Sequence, residues 1–159
     1  MTIRVPPDGT RGARVPRVLQ KVFRLMSTRM IRSFRRSGGQ RISSRMGFPV
    51  VLLTTRGAKT GQTRTTLVGG FPDGENAWLV VASLAGAAHH PAWFLNMAKH
   101  PDDIWLETGA ERFEVRGESL EGRERADALA HIAAIAPRYG GYQDKTDREI
   151  PLVRLTRES

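Results

Sequence analysis

Three short stretches of this chain hold residue types that could do chemistry. The first, Arg56-Gly57-Ala58-Lys59-Thr60-Gly61-Gln62-Thr63-Arg64, lies between two apolar runs and combines two glycines, a threonine hydroxyl and three cations. Glycines let backbone N–H groups turn toward an anion, the hydroxyl donates another bond, and Lys or Arg supplies charge. That is the chemistry of a phosphate cradle. It is not a Walker A loop, because Lys59 follows Ala58 and position 53 is Leu where that motif needs glycines. A basic, solvated hairpin turn would have the same composition.

The second stretch, Ser83-Leu84-Ala85-Gly86-Ala87-Ala88-His89-His90-Pro91-Ala92-Trp93-Phe94, runs from a strand end through small residues into a helix start. Small residues permit the close approach of a flat ring, the helix start offers N–H donors, and Trp93 offers an apolar face. Trp93, Phe94 and Met97 could equally be the core face of a short helix. The third, Pro137-Arg138-Tyr139-Gly140-Gly141-Tyr142, carries both tyrosines of the chain. A phenol can donate a proton or orient a carbonyl or nitro oxygen, and it can also simply pack.

Other chemistries find no support. With no cysteine, disulfides, thiolate catalysis and Cys-based metal sites are excluded, so redox chemistry must be borrowed from a cofactor. The four histidines, with His89 and His90 adjacent, lack metal-binding spacing, and no metal is expected. Ser83 lies in V-A-S-L-A, without the flanking glycines of a nucleophile elbow.

The elements that must position these stretches follow from periodicity. β-type runs cover Pro49 to Thr55, Arg64 to Phe71 and Ala77 to Ser83. The first is nearly all apolar, as in a strand covered on both faces. Phe71-Pro72-Asp73-Gly74-Glu75-Asn76 reads as the turn of a hairpin joining the other two. A short helix fits His90 to Lys99. Strands at Ile104 to Glu107 and Arg112 to Glu118 precede an Ala-rich helix, Glu121 to Ala136, and a last strand, Pro151 to Thr156. About six strands with few helices predict a small barrel.

Ahead of this domain, residues 1–45 hold 12 Lys or Arg against one acid, Asp8, whereas the remaining 114 residues carry a net −2. Residues 1–13 show no apolar period and are expected to be disordered. From Arg14 to Arg36 (the helical segment 14–37), Val15, Val18, Leu19, Val22, Phe23, Leu25, Met26, Met30 and Phe34 form one helical face and arginines the other; Arg29 and Ile31 break the pattern. Pro16 suits the first turn, and Gly38-Gly39 stops the helix. Such a helix fits an anionic membrane surface or the domain's own flank. No apolar stretch reaches the roughly 18 residues of a membrane span, so the expected location is cytoplasmic, with peripheral contact at the inner face of the plasma membrane as the further option.

Taken together, the three stretches resemble the deazaflavin (coenzyme F-420)-dependent nitroreductase family of actinobacteria. "PVVLLTTRGAKTGQTR", "VVASLAGAAHHPAWFLNMAKHP" and "YGGYQDKTDREIPLV" occur in that family's order and spacing, over about Pro49 to Val153. The resemblance implies an α+β, mainly β, split β-barrel of the flavin-binding type over residues 41–159, preceded by the N-terminal amphipathic helix. It further implies reduced F-420 as hydride donor to a quinone, enone or nitroaromatic acceptor. Carried over by position, Arg56, Lys59, Thr60, Gly61 and Arg64 would hold the cofactor's phosphate and acidic tail. Ser83, Ala85, Gly86, Ala92 and Trp93 would wall the deazaflavin ring, and Tyr139, Tyr142 and Ser83 would act on the acceptor. The chain departs from the family pattern at Ala58, Leu84 and Ala136.

Two other readings remain open on sequence. One is a flavin mononucleotide-binding split-barrel oxidoreductase or a cofactor carrier; the surplus of cations in the cradle favours a longer acidic tail. The other is a nucleic-acid-binding protein acting through the basic arm. Against that stand the alternation of its charges with an apolar face and its lack of Tyr or Trp for base stacking, so nucleic acid is not expected as a partner.

Overall fold

The computed structural model describes residues 3–14 and 17–159; Val15 and Pro16 of the expected helix start lie outside them. Helix α1 (Arg17–Ser37) ends where Gly38 and Gly39 turn to φ 65° and 87°. Only glycine serves at 39, because a Cβ there would lie 2.5 Å from the Phe34 ring. A second helix that the sequence did not announce, α2 (Gln40–Met46), follows directly. Then come β1 (Val50–Arg56), β2 (Thr63–Gly69), β3 (Phe71–Pro72), β4 (Ala77–Val81), α3 (Ala92–Lys99), β5 (Ile104–Thr108), β6 (Glu111–Ser119), α4 (Gly122–Ile135), α5 (Arg138–Tyr142) and β7 (Leu152–Arg157).

The strands form one antiparallel sheet in the order β2-β1-β5-β6-β7-β4-β3. Nine-residue β6 joins its halves: Glu111 to Glu114 pair with β5 and Val115 to Ser119 with β7. The sheet curls until β2 meets β4, its neighbour across the gap and not along the ladder. Seven strands with four α-helices after residue 39 give the mainly β barrel that was expected.

The expected hairpin is corrected in one respect. The run Arg64 to Phe71 breaks at Gly70, so its longer part pairs with β1 and only Phe71 and Pro72 pair with β4. Gly70 sits against Val51, where a Cβ would come within 2.6 Å of the valine.

β1 is apolar throughout because it is covered on both faces. Val50 and Leu52 enter one core with Phe34, Ile42, Phe71 and Ile132, under α1, α2 and α4. Val51 and Leu53 enter the other with Phe94, Met97, Ile104 and Leu155, on the α3 side. Burying a Leu or Phe side chain contributes roughly 1.5–3 kcal/mol, so both faces of β1 help to hold the fold. Met30, Ile31 and Phe34 of α1 pack on the first core. Ile31, out of step in the sequence pattern, thus has a partner. The Arg35 guanidinium also clasps the Glu107 carboxylate of β5 through two 3.1 Å bonds.

Residues 3–14 correct the expectation of a disordered arm. Arg4 reaches Glu121 and Glu149, the Gly9 and Ala13 amides donate to Ala88 O and Gly86 O, and Asp147 accepts from Thr10 and Arg11. Composition misled here because the arm's order comes from backbone bonds to distant segments, not from apolar periodicity. Among the described residues, no helix is long and apolar enough to cross a membrane.

Candidate functional site

The cradle is the connection between β1 and β2, closed by the Arg56–Thr63 pair. The Gly57 amide donates to Gln62 O at 2.7 Å and the Gly61 amide to Gly57 O at 2.9 Å, with Gly61 at φ 72°. Arg56 serves the loop itself, donating to Asp103 Oδ2 at 2.8 Å and Gly61 O at 3.1 Å. Thr60 Oγ1 accepts from the Gln62 amide at 3.3 Å. Lys59 and Arg64 are exposed and form no ion pair among the described residues. The loop therefore presents two available cations on a backbone held from within.

Asn96, which the sequence reading passed over, ties this loop to α3. Its Oδ1 accepts from the Ala58 amide at 2.9 Å and its Nδ2 donates to Thr55 Oγ1 at 3.2 Å, with the side chain buried. A polar residue amid the apolar run Ala92-Trp93-Phe94-Leu95-Asn96-Met97 was the available signal: buried amides are kept where they have partners. On the same helix, Ala92 is exposed, while Trp93 is partly buried and meets Phe94 edge-on at 6.3 Å.

The loop leading into α3 is strained. After buried Ser83, Leu84, Ala85 and Gly86 take φ of 43°, 53° and 84°, a left-handed run that costs two ordinary residues conformational energy. Leu84 and Ala85 are exposed. Gly86 faces the tyrosine segment so closely that a Cβ would lie 2.8 Å from Lys145 Cβ and 3.0 Å from Tyr142 O. Behind the loop, buried Arg148 donates to its carbonyls. In sequence, Arg148 was indistinguishable from a solvated charge between Asp147 and Glu149.

Both tyrosines lie on α5, with ring centroids 5.4 Å apart in an edge contact. Tyr139 also meets Phe48 and Phe71 edge-on at 5.8 and 5.5 Å, and its hydroxyl lies against Gly69 of β2. Burial pushes the Tyr139 phenol up to about 12; Tyr142 adds to the shift and Arg138 opposes it. Lys145 Nζ stands 5.6 Å over the Tyr142 ring. Tyr139 further lines a cavity of about 220 Å³ with Val81, Leu129, Ile150 and Arg125, whose Nε is buried without a partner among the described residues.

The predicted residues thus meet as a chain of neighbours. The cradle is bonded to α3, α3 continues from the strained loop, and that loop abuts the tyrosine helix. A phosphate-bearing flat cofactor suits this donor set: available cations at one end, and at the other a turn that exposes Leu84 and Ala85 beside half-buried aromatics. The Ser83 hydroxyl makes no cap bond to the turn after it.

Residues 26–157 match the family described as F420H(2)-dependent quinone reductase. An F420H(2)-dependent quinone reductase of Mycobacterium tuberculosis is 39% identical over 114 residues, covering 69% of this chain and 74% of that protein. A solved F420-H2 dependent reductase superposes with a TM-score of 0.60 at 32% identity, over 67% of this chain and 93% of its own. Another solved structure, described only as a domain-swapped dimer, gives a TM-score of 0.62 at 27% identity over 86% of this chain and 98% of its own. The family match over most of the chain, together with the 39% identical relative, shows that the chain belongs to the F420H(2)-dependent quinone reductases, oxidoreductases of split-barrel fold that use reduced F-420 to reduce quinones.

Proposed function

We propose that this protein reduces quinones, and by the same chemistry enones and nitroaromatics, with the residues of the three stretches in distinct roles. Lys59, Arg64, Thr60 and Gly61 hold the phosphate and acidic tail of F-420, while Arg56 braces the loop from within. Ser83, Ala85, Gly86, Ala92 and Trp93 border the deazaflavin ring. When bound, the reduced ring supplies the hydride. The protein's own part is placement and electrostatics.

Tyr139 donates a hydrogen bond to the acceptor oxygen that gains charge, assisted by Tyr142 or Ser83. A phenol held near 12 keeps its proton throughout the neutral range, and it yields that proton only to an oxygen more basic than itself. The neighbouring cavity, lined by Val81, Leu129 and Ile150, offers an apolar wall for an acceptor ring.

The observation that carries this reading is the pair Lys59 and Arg64, exposed on a loop whose other cation is already bonded. The test is a fluorescence titration comparing F-420 with flavin mononucleotide, followed by quinone turnover with reduced F-420. Tight F-420 binding, weak flavin mononucleotide binding and quinone-dependent reoxidation are expected. The reverse preference would falsify the assignment.

A peripheral contact with anionic membrane fits a separate observation. Arg29, Arg32, Arg36 and Arg41 line one groove along α1 and α2, and Met26 is half exposed on the same helix. A membrane-dissolved quinone would then be within reach.

A further inference from the structure

Arg148 is 2% exposed, and among the described residues no carboxylate stands within ion-pair distance of it. A buried charge without a paired one is costly unless every donor is satisfied. Here the satisfaction comes from one loop. Nε donates to Ala87 O at 2.8 Å, Nη1 to Ala82 O at 3.1 Å and to His90 Nδ1 at 3.1 Å, and Nη2 to Ser83 O at 2.9 Å. These acceptors bracket the left-handed residues Leu84, Ala85 and Gly86, two carbonyls before them and one after. A planar guanidinium fixes the spacing of such carbonyls, which a flexible ammonium cannot do.

The loop is held from its other side by residues 3–14. Gly9 N donates to Ala88 O at 2.7 Å and Ala13 N to Gly86 O at 3.0 Å. His90 Nε2–H donates to Pro6 O at 2.6 Å, which leaves Nδ1 as the acceptor for Arg148. The backbone of Arg148 is fixed in turn: its amide donates to Thr146 Oγ1 at 3.1 Å, and Gln143, next to Tyr142, donates Nε2–H to its carbonyl at 2.6 Å. One side chain therefore joins the strained turn to the tyrosine segment.

We propose that Arg148 is a positioning residue for the cofactor wall: it holds Ser83 to Gly86 in the left-handed turn that faces the deazaflavin ring and keeps that turn in register with Tyr139 and Tyr142. The inference rests on the assignment of Ser83 to Gly86 to the ring. Arg148 does not touch the cofactor; it lowers the cost of a conformation that Leu84 and Ala85 would otherwise leave.

The test compares the wild type, Arg148→Lys, and Arg148→Lys carrying Leu84→Gly and Ala85→Gly, by F-420 titration, melting temperature and amide hydrogen exchange. In Arg148→Lys the Gly86 and Ala87 amides, bonded to Ser83 O and Leu84 O, should exchange at least tenfold faster while β1 and β5 keep their rates. F-420 should bind about tenfold more weakly. Glycine adopts positive φ freely, so the two glycines should recover most of the affinity without recovering the melting temperature. A merely structural arginine would change the melting temperature alone. Unchanged affinity and loop exchange in Arg148→Lys, or glycines that recover nothing, would overturn the proposal. If Arg148→Lys does not fold, Gln143→Ala must show the same loop-specific exchange in smaller degree, and its absence would overturn the proposal too. The ring assignment is read separately, in the wild type: F-420 that binds without slowing exchange at Gly86 and Ala87 places the ring elsewhere, and the proposal falls with it.

Discussion

In the function proposed above, Lys59 and Tyr139 divide the work at the scale of single residues, one toward the cofactor and the other toward the acceptor. A charge-assisted hydrogen bond to phosphate contributes roughly 1.5–3 kcal/mol. Lys59→Ala should therefore weaken F-420 binding about tenfold or more while the melting temperature holds; an unchanged affinity by calorimetry would return the loop to a solvated turn. Tyr139→Phe should lower quinone turnover roughly three- to tenfold, the worth of one hydrogen bond, with little change in F-420 affinity. Equal steady-state rates across several acceptors would leave Tyr139 as packing. The pH dependence has a definite sign. With the phenol raised to about 12 from 10, its donor proton is retained across and beyond neutrality, so wild-type turnover should show no loss assignable to Tyr139 below about pH 10. The stability gained from burying the neutral phenol is complete below 10 and is lost as pH rises through 12. The basic loop between β1 and β2 that carries Lys59 and Arg64 was legible in the sequence, as was the closeness of the two tyrosines, which share one short segment. Asn96 and Arg148 were not, because what matters in them is burial, and burial depends on contacts 38 to 66 positions away.

Elements were legible where their own periodicity decided them and illegible where a partner did. β1 announced itself by an unbroken apolar run, which two cores on opposite faces explain. The short α2, a bare seven residues between two left-handed glycines, carries too little pattern to be distinguished from the end of α1. The arm is the clearest case, since Asp147 orders it from the far end of the chain. Thr10 Oγ1 and the amides of Thr10 and Arg11 donate to that carboxylate and hold its pKa down to about 2. The arm's attachment through Asp147 is thus fully present above the ordinary value of 3.8 and is lost as pH falls toward 2. Hydrogen exchange at the Gly9 and Ala13 amides, corrected for intrinsic rates, should lose protection between pH 5 and 2.5, and Asp147→Asn should show that loss already at pH 5. Equal protection at both pH values in the wild type would detach Asp147 from the arm's order.

Over the whole molecule, charge is partitioned: the first 45 residues carry the excess and the barrel is close to neutral. Removing residues 1–36 would not test a membrane role cleanly, because Phe34 is 1% exposed within the first core and its loss would damage the fold. Neutralising the groove keeps the helix in place. Each basic residue near an anionic bilayer contributes about 1 kcal/mol, so Arg29→Gln, Arg32→Gln and Arg36→Gln together should weaken sedimentation with anionic vesicles at low salt roughly a hundredfold. A full-length protein that fails to sediment under those conditions would confine α1 to the core. The barrel itself was legible mainly through the family's ordered motifs. Alternation and turn signals gave the strands, but the order that places β5 beside β1 and β7 beside β4 is a long-range choice that local pattern does not specify.

The arm's bonds also bear on how the protein is made. Arg4 is 115 positions from Ser119 and 145 from Glu149, both of which it helps to engage, so the segment synthesised early must wait for segments synthesised late. Arg148 likewise reaches back 66 positions to Ala82. Contacts of such separation form after the local ones because closing a long loop costs entropy before any bond rewards it. On a ribosome, β1, β2 and α3 can assemble while the wall loop still lacks both of its clamps. A nascent chain truncated before Asp147 would keep that loop but lack the guanidinium that spans its carbonyls, the carboxylate that orders the arm, and β7, which lies between β6 and β4.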